Sequence, residues 1–355
     1  MLNQQGYDLV DIGNHRSLTY SCVRASAYAA SFKRCLRRPE SGDEREQLRD
    51  LLNEQLRAAY DMRREDSLHA LHASLNEILF RRFNRTRDHV ERSPLMFEVQ
   101  QRIIEAQLDA DLQSFKEESL PQSADAFEHW YDARSRLDGR TPHRLFDFIQ
   151  TQANEAQFRR FIEVEAGVHV SFDDVLALAQ VGVRGAPKSE FFHNLQDEVG
   201  STNPDKFHLT MFERLVEGLG IRSISRDALP WEALACGSYM MFLAHFRDFY
   251  LYCVGYLGCL EAITPARFGS IARGGARLGV DESLLDYYAE HSVLDTQHAQ
   301  GWLHNIILPA IYENGAQTSR DIATGVRLRE CVAERYWDAM LAELTAPRRS
   351  TRKGT

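Results

Sequence analysis

The stretch Tyr287-Tyr288-Ala289-Glu290-His291-Ser292-Val293-Leu294-Asp295-Thr296-Gln297-His298 places two histidines and an aspartate at helical spacing. Because an α-helix has about 3.6 residues per turn, His291, Asp295 and His298 project from a single stripe of it. Apolar residues flank the stripe and indicate that it faces the interior: Leu285, Tyr288, Leu294 and Trp302. A buried stripe with three titratable groups needs a compensating charge, which a metal ion would supply. The same pattern occurs on solvated helix faces, so the stretch alone leaves a metal site and an ordinary exposed face both open.

The composition is that of an ordinary globular protein: of 355 residues, 44% are hydrophobic and 26% are charged. A formal net charge of −9 argues against a nucleic-acid partner and against binding to an anionic membrane surface. The six cysteines include no Cys-x-x-Cys pair, which is typical of reduced thiols in the cytoplasm. There is neither a signal-peptide pattern nor an apolar run of membrane-spanning length, so we expect a cytoplasmic protein without a membrane span.

The apolar residues recur at helical rather than alternating spacing along nearly the whole chain, which predicts an all-α fold. We expect an N-terminal helical region over residues 1–125, a helical bundle over 126–345 and a disordered basic tail over 346–355. The leucines of the charged N-terminal helices predict that this region caps the bundle or forms a homodimer. The bundle is expected to divide into about six or seven helices at residues 182–187, 200–204 and 218–220, at Pro265 and at Gly279. Gly200 is expected to end the helix that carries Glu198.

Three more titratable residues lie on apolar helix faces or at helix ends of the predicted bundle: Glu165, Glu198 and His208. Phe161 precedes Glu165 by one helical turn, and Met211 follows His208 at a similar spacing. With the first stripe they make three carboxylates and three histidines without a thiolate, a donor set that suits iron or manganese better than structural zinc. Six ligands are too many for one catalytic ion, and they are a natural number for two ions bridged by a carboxylate.

The order of these residues resembles the ligand set of the haem-oxygenase-like di-iron oxidases. The resemblance covers about residues 140–315 and implies a haem-oxygenase-like seven-helix bundle with an N-terminal helical extension. It also implies that two iron ions (Fe2+) are bound, with O2 as co-substrate, by six ligands: Glu165, Glu198, His208, His291, Asp295 and His298. Many relatives have an aromatic pair where this chain has Leu195 and Gln196, so we expect a different pocket beside the ligands.

The resemblance implies a non-haem di-iron oxygenase or oxidase, an O2-dependent oxidoreductase that acts on a small-molecule substrate. We expect it to oxidise a small amine or amino-acid-like metabolite, and we favour N-oxygenation because the N-terminal region resembles that of some N-oxygenating relatives. Oxidative C–C cleavage of a fatty or amino acid at the same site is the alternative, and a non-enzymatic helical binding module is the alternative of another class. The sequence has no Gly-rich dinucleotide fingerprint, so electrons are expected from an external electron donor or from the substrate.

The segment 238–260, rich in Tyr, Phe and Met, is predicted to be a helix along the wall of the substrate pocket. Its polar residues His245, Arg247 and Asp248 are the candidates for contact with substrate. Glu261, at the end of the same helix, is expected to border this pocket behind the metal ligands. The alternative is an ordinary core helix in which Arg247 and Asp248 neutralise each other.

Other histidines compete for the role of ligand. His69 and His72 lie in a highly charged segment and are expected on a solvated helix face. His193 follows two phenylalanines and is expected to be a packed side chain. His169, one helical turn after Glu165, is the most credible substitute ligand.

Overall fold

The computed structural model describes residues 8–37, 41–83, 89–140, 143–168, 172–222 and 224–347. All regular elements within these ranges are helices and none is a strand, so the all-α prediction is confirmed. No helix of the described chain is both long and apolar enough to cross a membrane. By its internal contacts the chain divides into two units, Met1–Ser114 and Phe115–Thr355, a division that falls before the expected boundary at residue 125. His169 and most of the predicted basic tail lie outside the described residues.

The helices of the first unit pack against one another along apolar stripes. They are α1 (Asp8–Arg37), α2 (Gly42–Leu56), α3 (Glu65–Phe83) and α4 (Pro94–Ser114), with short helical turns at Arg57–Asp61 and Val90–Arg92. Ser41 caps α2, because its hydroxyl accepts from the Glu44 amide while the Glu44 carboxylate accepts from the Ser41 amide. The leucine stripe of α2 is buried within this unit, at Leu48, Leu51 and Leu52.

His72 of α3 is buried, and the prediction of a solvated face is wrong for it. Its Nε2 atom lies 3.3 Å from the Tyr60 hydroxyl oxygen. Helix α3 contacts α1, α2 and α4, so it is covered on more than one face. A charged helix in such a position buries polar side chains beside its leucine stripe, which an argument from a single stripe does not predict.

The second unit corresponds to the predicted bundle, and α12 is its central helix. The helices are α5 (Ala124–Arg140), α6 (Arg144–Thr151), α7 (Glu155–Val168), α8 (Phe172–Ala179), α9 (Ala186–Glu198), α10 (His208–Gly218), α11 (Trp231–His245), α12 (Tyr250–Arg277), α13 (Asp286–Gly301), α14 (Leu308–Asn314) and α15 (Ala316–Thr345). Short helical turns lie between them at Gly200–Thr202, Pro204–Lys206, Arg226–Ala228, Arg247–Phe249, Glu282–Leu284 and Trp302–Ile307. Helix α12 packs most extensively against α13 and α15, and it also contacts α5, α6 and α11.

Two glycines allow the backbones of α12 and α15 to touch. A Cβ atom at Gly255 would overlap the carbonyl oxygen of Ile322, and a Cβ atom at Gly325 would overlap that of Tyr252. Because only a residue without a side chain permits so close an approach, these positions fix where the two helices cross. The crossing thereby positions the side chains that both helices direct at the site described below.

Pro265 does not divide the bundle as expected, because α12 continues through it from Tyr250 to Arg277. A proline inside a helix removes a backbone hydrogen bond and costs about 3 kcal/mol. Residues on both sides of this proline are buried, among them Ile263, Phe268 and Ile271. The apolar area that α12 buries against α13 and α15 offsets the cost of the proline.

Candidate metal centre

Glu198, His208 and His291 form a first group of buried side chains. One imidazole nitrogen or carboxylate oxygen from each residue lies within 4.8 Å of the other two. The Nδ1 atom of His208 is 2.9 Å from Glu198 Oε2, and the ring centres of His208 and His291 are 4.2 Å apart. None of the three is more than 6% exposed, so little water reaches the group.

The loop between α9 and α10 brings Glu198 and His208 together. Gly200 follows the end of α9 with a φ of 72°, a left-handed conformation that favours glycine. A Cβ atom there would lie 2.6 Å from the carbonyl carbon of Lys206, so the returning chain passes directly over the glycine. The Asn203 side chain accepts from the Asp205 amide at 3.1 Å and turns the chain toward α10. Gly200 therefore ends the helix and leaves the space through which the chain returns.

Glu261, Asp295 and His298 form a second group, again buried and with ligand atoms within 4.8 Å of one another. His298 Nδ1 lies 3.4 Å from Asp295 Oδ1 and 3.7 Å from Glu261 Oε2. The Asp295 carboxylate also lies 3.2 Å from His291 Nδ1, so it stands between the two groups. Helix α13 thus contributes to both groups through one stripe, and α12 contributes Glu261.

Asp197 holds His298 from the other side of the ring, with its Oδ2 atom 3.0 Å from His298 Nε2. A carboxylate behind an imidazole fixes the orientation of the ring. His193 approaches the same carboxylate at 3.7 Å but is exposed, so the prediction that His193 is packed is wrong. Asn194 anchors α9 beside the site, because its side-chain oxygen accepts from Trp302 Nε1 at 3.0 Å.

Carboxylates and imidazoles set each other's protonation in this buried site. Burial lowers the pKa of His291, but Asp295 and the more distant carboxylates outweigh it and raise the pKa to about 9. Burial also lowers the pKa of His298, while hydrogen bonds to Asp295 and Glu261 raise it to about 11. Burial raises the pKa of Asp295, but the two histidines reverse this and hold the pKa at about 2. Burial and the charge of Asp295 raise the pKa of Glu261 to about 7. The imidazoles therefore carry the positive charge that the carboxylates require, and a metal ion would replace that charge.

Two imidazole nitrogens have the environment of unused metal ligands. The Nε2 atoms of His208 and His291 are buried and have no hydrogen-bond partner among the described residues. Buried polar atoms in proteins are nearly always bonded, so two neighbouring exceptions require an explanation. Imidazole nitrogens with carboxylate oxygens, and no thiolate, form a donor set that suits iron. The residues present therefore fit an iron site.

Glu165 lies on the same cavity but outside both groups. It is half-buried on α7, and its Oε1 atom accepts a hydrogen bond of 2.6 Å from the Tyr336 hydroxyl. Glu163, two residues earlier on α7, pairs with Arg160 at 3.3 Å. Five of the six predicted ligands thus meet in the two groups, and Glu165 faces them without joining either.

Glu261 occupies a position among the candidate ligands, although sequence reasoning placed it behind them in the substrate pocket. A signal for it exists, because Glu261 is the single acid within the apolar run from Leu257 to Ile263. A carboxylate in such a run must find a partner when the helix is buried. Its partner is set by the packing of α12 on α13, which sequence spacing does not give.

A cavity of about 120 Å³ adjoins both groups. Apolar and aromatic side chains make up much of its wall, including Phe172, Met240, Tyr256, Leu260 and Phe268. Polar residues on the wall outside the two groups include Glu165, Asp173, Arg267, Arg329 and Tyr336. Burial, Asp174 and Glu198 raise the pKa of Asp173 to about 6.

His245, Arg247 and Asp248, predicted to contact substrate, do not line this cavity, and that prediction is corrected. Helix α11 ends at His245, and the chain turns at Phe246 before α12 begins. Arg247 and Asp248 are therefore exposed, and Arg247 donates to the backbone carbonyl of Ala244. The His245 ring packs edge-on against Phe246 with the ring centres 4.8 Å apart. The prediction placed the three residues too deep because it treated 238–260 as one helix.

Comparison with known proteins agrees with this geometry. A family model described as iron-containing redox enzyme matches residues 159–332, a range that contains Glu165 and all members of both groups. Among curated proteins, none matches the chain. Residues 159–332 thus match the haem-oxygenase-like family of iron-containing redox enzymes, and the all-α fold around them agrees with that match.

Proposed function

We propose that this chain is a non-haem di-iron oxygenase or oxidase that uses O2 to oxidise a small amine or amino-acid-like metabolite. The observation that carries the proposal is the pair of buried ligand groups, joined by Asp295, with two unpartnered imidazole nitrogens beside a cavity. In this proposal Glu198, His208 and His291 hold one iron ion. Glu261, Asp295 and His298 hold the other.

Two ferrous ions bound in these groups would supply the electrons that reduce dioxygen, and an external donor would restore them. The protein residues bind the ions, orient the imidazoles and exclude water. Asp295 would contact both ions, because it already lies between the groups. Glu165, which we also propose as a ligand, would exchange the hydrogen bond from Tyr336 for a metal contact.

The size of the cavity supports a small substrate. A volume of about 120 Å³ corresponds to roughly four water molecules at about 30 Å³ each. Such a space suits an amine or an amino acid better than a long acyl chain. We therefore keep N-oxygenation as the first proposal for the reaction and oxidative C–C cleavage as the second.

The test is anaerobic loading of the full-length chain with ferrous iron, followed by metal analysis and exposure to O2. We expect iron at two positions per chain and consumption of O2, with less iron in His208→Ala and His291→Ala. His304→Ala is the matched control, because His304 is exposed in the helical turn Trp302–Ile307 and belongs to neither group. A panel of amines, amino acids and fatty acids, with products read by mass, separates a gained oxygen atom from a lost carboxylate. A chain that binds no iron would favour the binding module instead.

We also propose that the chain is a homodimer through its N-terminal unit. The stripe leucines Leu48, Leu51 and Leu52 are buried within that unit, so the contact would use other residues. Large apolar side chains are exposed there at Val23, Met62 and Phe97. Light scattering of the full-length chain tests this, and a mass of 40.7 kDa, that of one chain, would contradict it.

A further inference from the structure

Two arginines line the cavity without a carboxylate partner. Arg329 of α15 is 2% exposed, and Arg267 of α12 is half-buried. Among the described residues neither guanidinium forms an ion pair, and the Nε atoms of both lack a hydrogen-bond partner. Their side-chain contacts are weak and long: Arg329 Nη1 lies 3.7 Å from Cys236 Sγ, and Arg267 Nη2 lies 3.4 Å from Thr264 Oγ1.

A buried guanidinium is costly, because it stays protonated and must be compensated in place. Aromatic rings compensate part of the charge: Arg267 Cζ lies 4.6 Å from the Phe268 ring centre, and Arg329 Cζ lies 5.6 Å from that of Tyr256. Burial lowers the pKa of Arg267, and the charge of Arg329 lowers it further. The two cations therefore repel each other beside the same cavity.

Glu165 is the carboxylate with the strongest influence on Arg267, and it also acts on Arg329. If neutralising Glu165 were the whole role of the two arginines, one arginine in contact with it would suffice. Instead, two cations face one carboxylate, which is bonded to Tyr336 rather than to either guanidinium. Asp173, another acid on the wall, is influenced by Asp174 and Glu198. Among the residues that the structure describes, one of these two positive charges thus has no counterpart.

We propose that Arg267 and Arg329 bind the carboxylate of the substrate, which is then a short carboxylic acid such as an amino acid. This inference rests on the proposed function of the neighbouring metal groups. A planar guanidinium matches a carboxylate in a bidentate arrangement, and two of them fix its orientation. Glu261, Thr264 and Arg267 follow one another at three-residue intervals on α12, so about 9 Å of helix rise separates Arg267 from Glu261. A substrate held at the arginines would reach the metal groups with an amine or carbon a few bonds from its carboxylate.

The test is calorimetric titration of the full-length chain, metal-free and ferrous-loaded under anaerobic conditions. The probes are butanoate, α-aminobutyrate and γ-aminobutyrate, with butanamide as the neutral match and inorganic phosphate as another anion. We expect at least one carboxylate to bind about tenfold more tightly than butanamide, which is a difference in binding free energy of about 1.4 kcal/mol. Arg267→Gln and Arg329→Gln should each remove that preference. Arg329→Lys should keep part of it, because lysine retains the charge without the fork.

Arg273→Gln is the matched control on α12, because Arg273 is exposed, bonds to Gln150 and does not line the cavity. It should leave carboxylate binding unchanged. The proposal would be overturned if butanoate and butanamide bind equally or if neither binds. It would also be overturned if both glutamine variants keep the preference for carboxylate, or if phosphate binds more tightly than every carboxylate. The comparison of butanoate with butanamide on the wild-type chain tests the proposal even where a variant does not fold. Iron analysis of the same samples tests the proposed function separately, since a chain without iron that still prefers carboxylates would contradict only that function.

Discussion

Replacing Gly200 by alanine is expected to disrupt the first metal group by disturbing the loop that joins Glu198 to His208. The left-handed φ of 72° costs an alanine about 1–2 kcal/mol. The new Cβ atom would lie 2.6 Å from the Lys206 carbonyl carbon, and moving the backbone away costs about 1–3 kcal/mol. The sum of about 2–5 kcal/mol lowers the Tm of a unit of this size by at least about 4 °C.

Gly220→Ala is the matched control for this substitution. Gly220 has a similar φ of 69°, but a Cβ atom there would meet nothing within 4 Å. The control therefore has only the conformational cost of about 1–2 kcal/mol. The difference in stability between the two variants measures the steric cost that arises because the chain passes directly over Gly200.

Thermal unfolding followed by circular dichroism gives the stability of both variants, and ferrous loading gives their iron content. We expect Gly200→Ala to have the lower Tm and to lose iron at the position formed by Glu198, His208 and His291, while Gly220→Ala retains both ions. Equal losses of Tm in the two variants would refute the steric argument. Full iron content in Gly200→Ala would refute the link between the loop and the metal group.

Three further predictions follow from the packing and the charges. Gly255→Ala should lower the free energy of unfolding in urea by about 1–3 kcal/mol, because its Cβ would overlap the carbonyl oxygen of Ile322. Gly269→Ala on the same helix is the control and should cost little, because its Cβ meets only the movable end of the Arg273 side chain. Similar losses in the two variants would contradict the close crossing of α12 and α15. The affinity for ferrous iron should rise between about pH 6 and about pH 8, and binding should release protons, because His291 and His298, with pKa values of about 9 and about 11, must lose protons to bind the metal. Calorimetry in buffers of different ionisation heat measures the number of protons released, and a value of zero would contradict the prediction. Glu261→Gln should weaken iron binding at the second group by removing a carboxylate beside His298, whereas Glu313→Gln, exposed on α14, should not; equal iron affinity in the two variants would remove Glu261 from the ligand set.

The features that sequence reasoning located correctly depend on short separations along the chain. His291, Asp295 and His298 share a buried face because helical geometry fixes their relative directions once the helix forms. The helix stop at Gly200 is similarly local, since it requires only the backbone freedom of glycine. In both cases a few neighbouring residues contain the information that determines the structure.

The features that sequence reasoning misplaced depend on packing between distant segments. Glu261 has its surroundings because α12 crosses α13 and α15, and Pro265 lies inside a helix for the same reason. The break after His245 removed Arg247 from the interior, and the uniformly apolar sequence on both sides gave no sign of it. Burial of His72 likewise depends on how many neighbours cover α3. Side-chain periodicity describes one helix at a time and cannot contain these contacts.

The charges around the cavity indicate why iron and an acidic substrate would favour each other. In the metal-free protein, protons on His291 and His298 balance the carboxylates of Glu261 and Asp295. Ferrous ions would displace those protons and would also attract Glu165, the carboxylate that acts most strongly on Arg267. The two arginines of the cavity would then have less negative charge beside them than before, and a substrate carboxylate would supply it. Under the proposed function the two binding events are therefore positively coupled, and by linkage each raises the affinity for the other by the same factor.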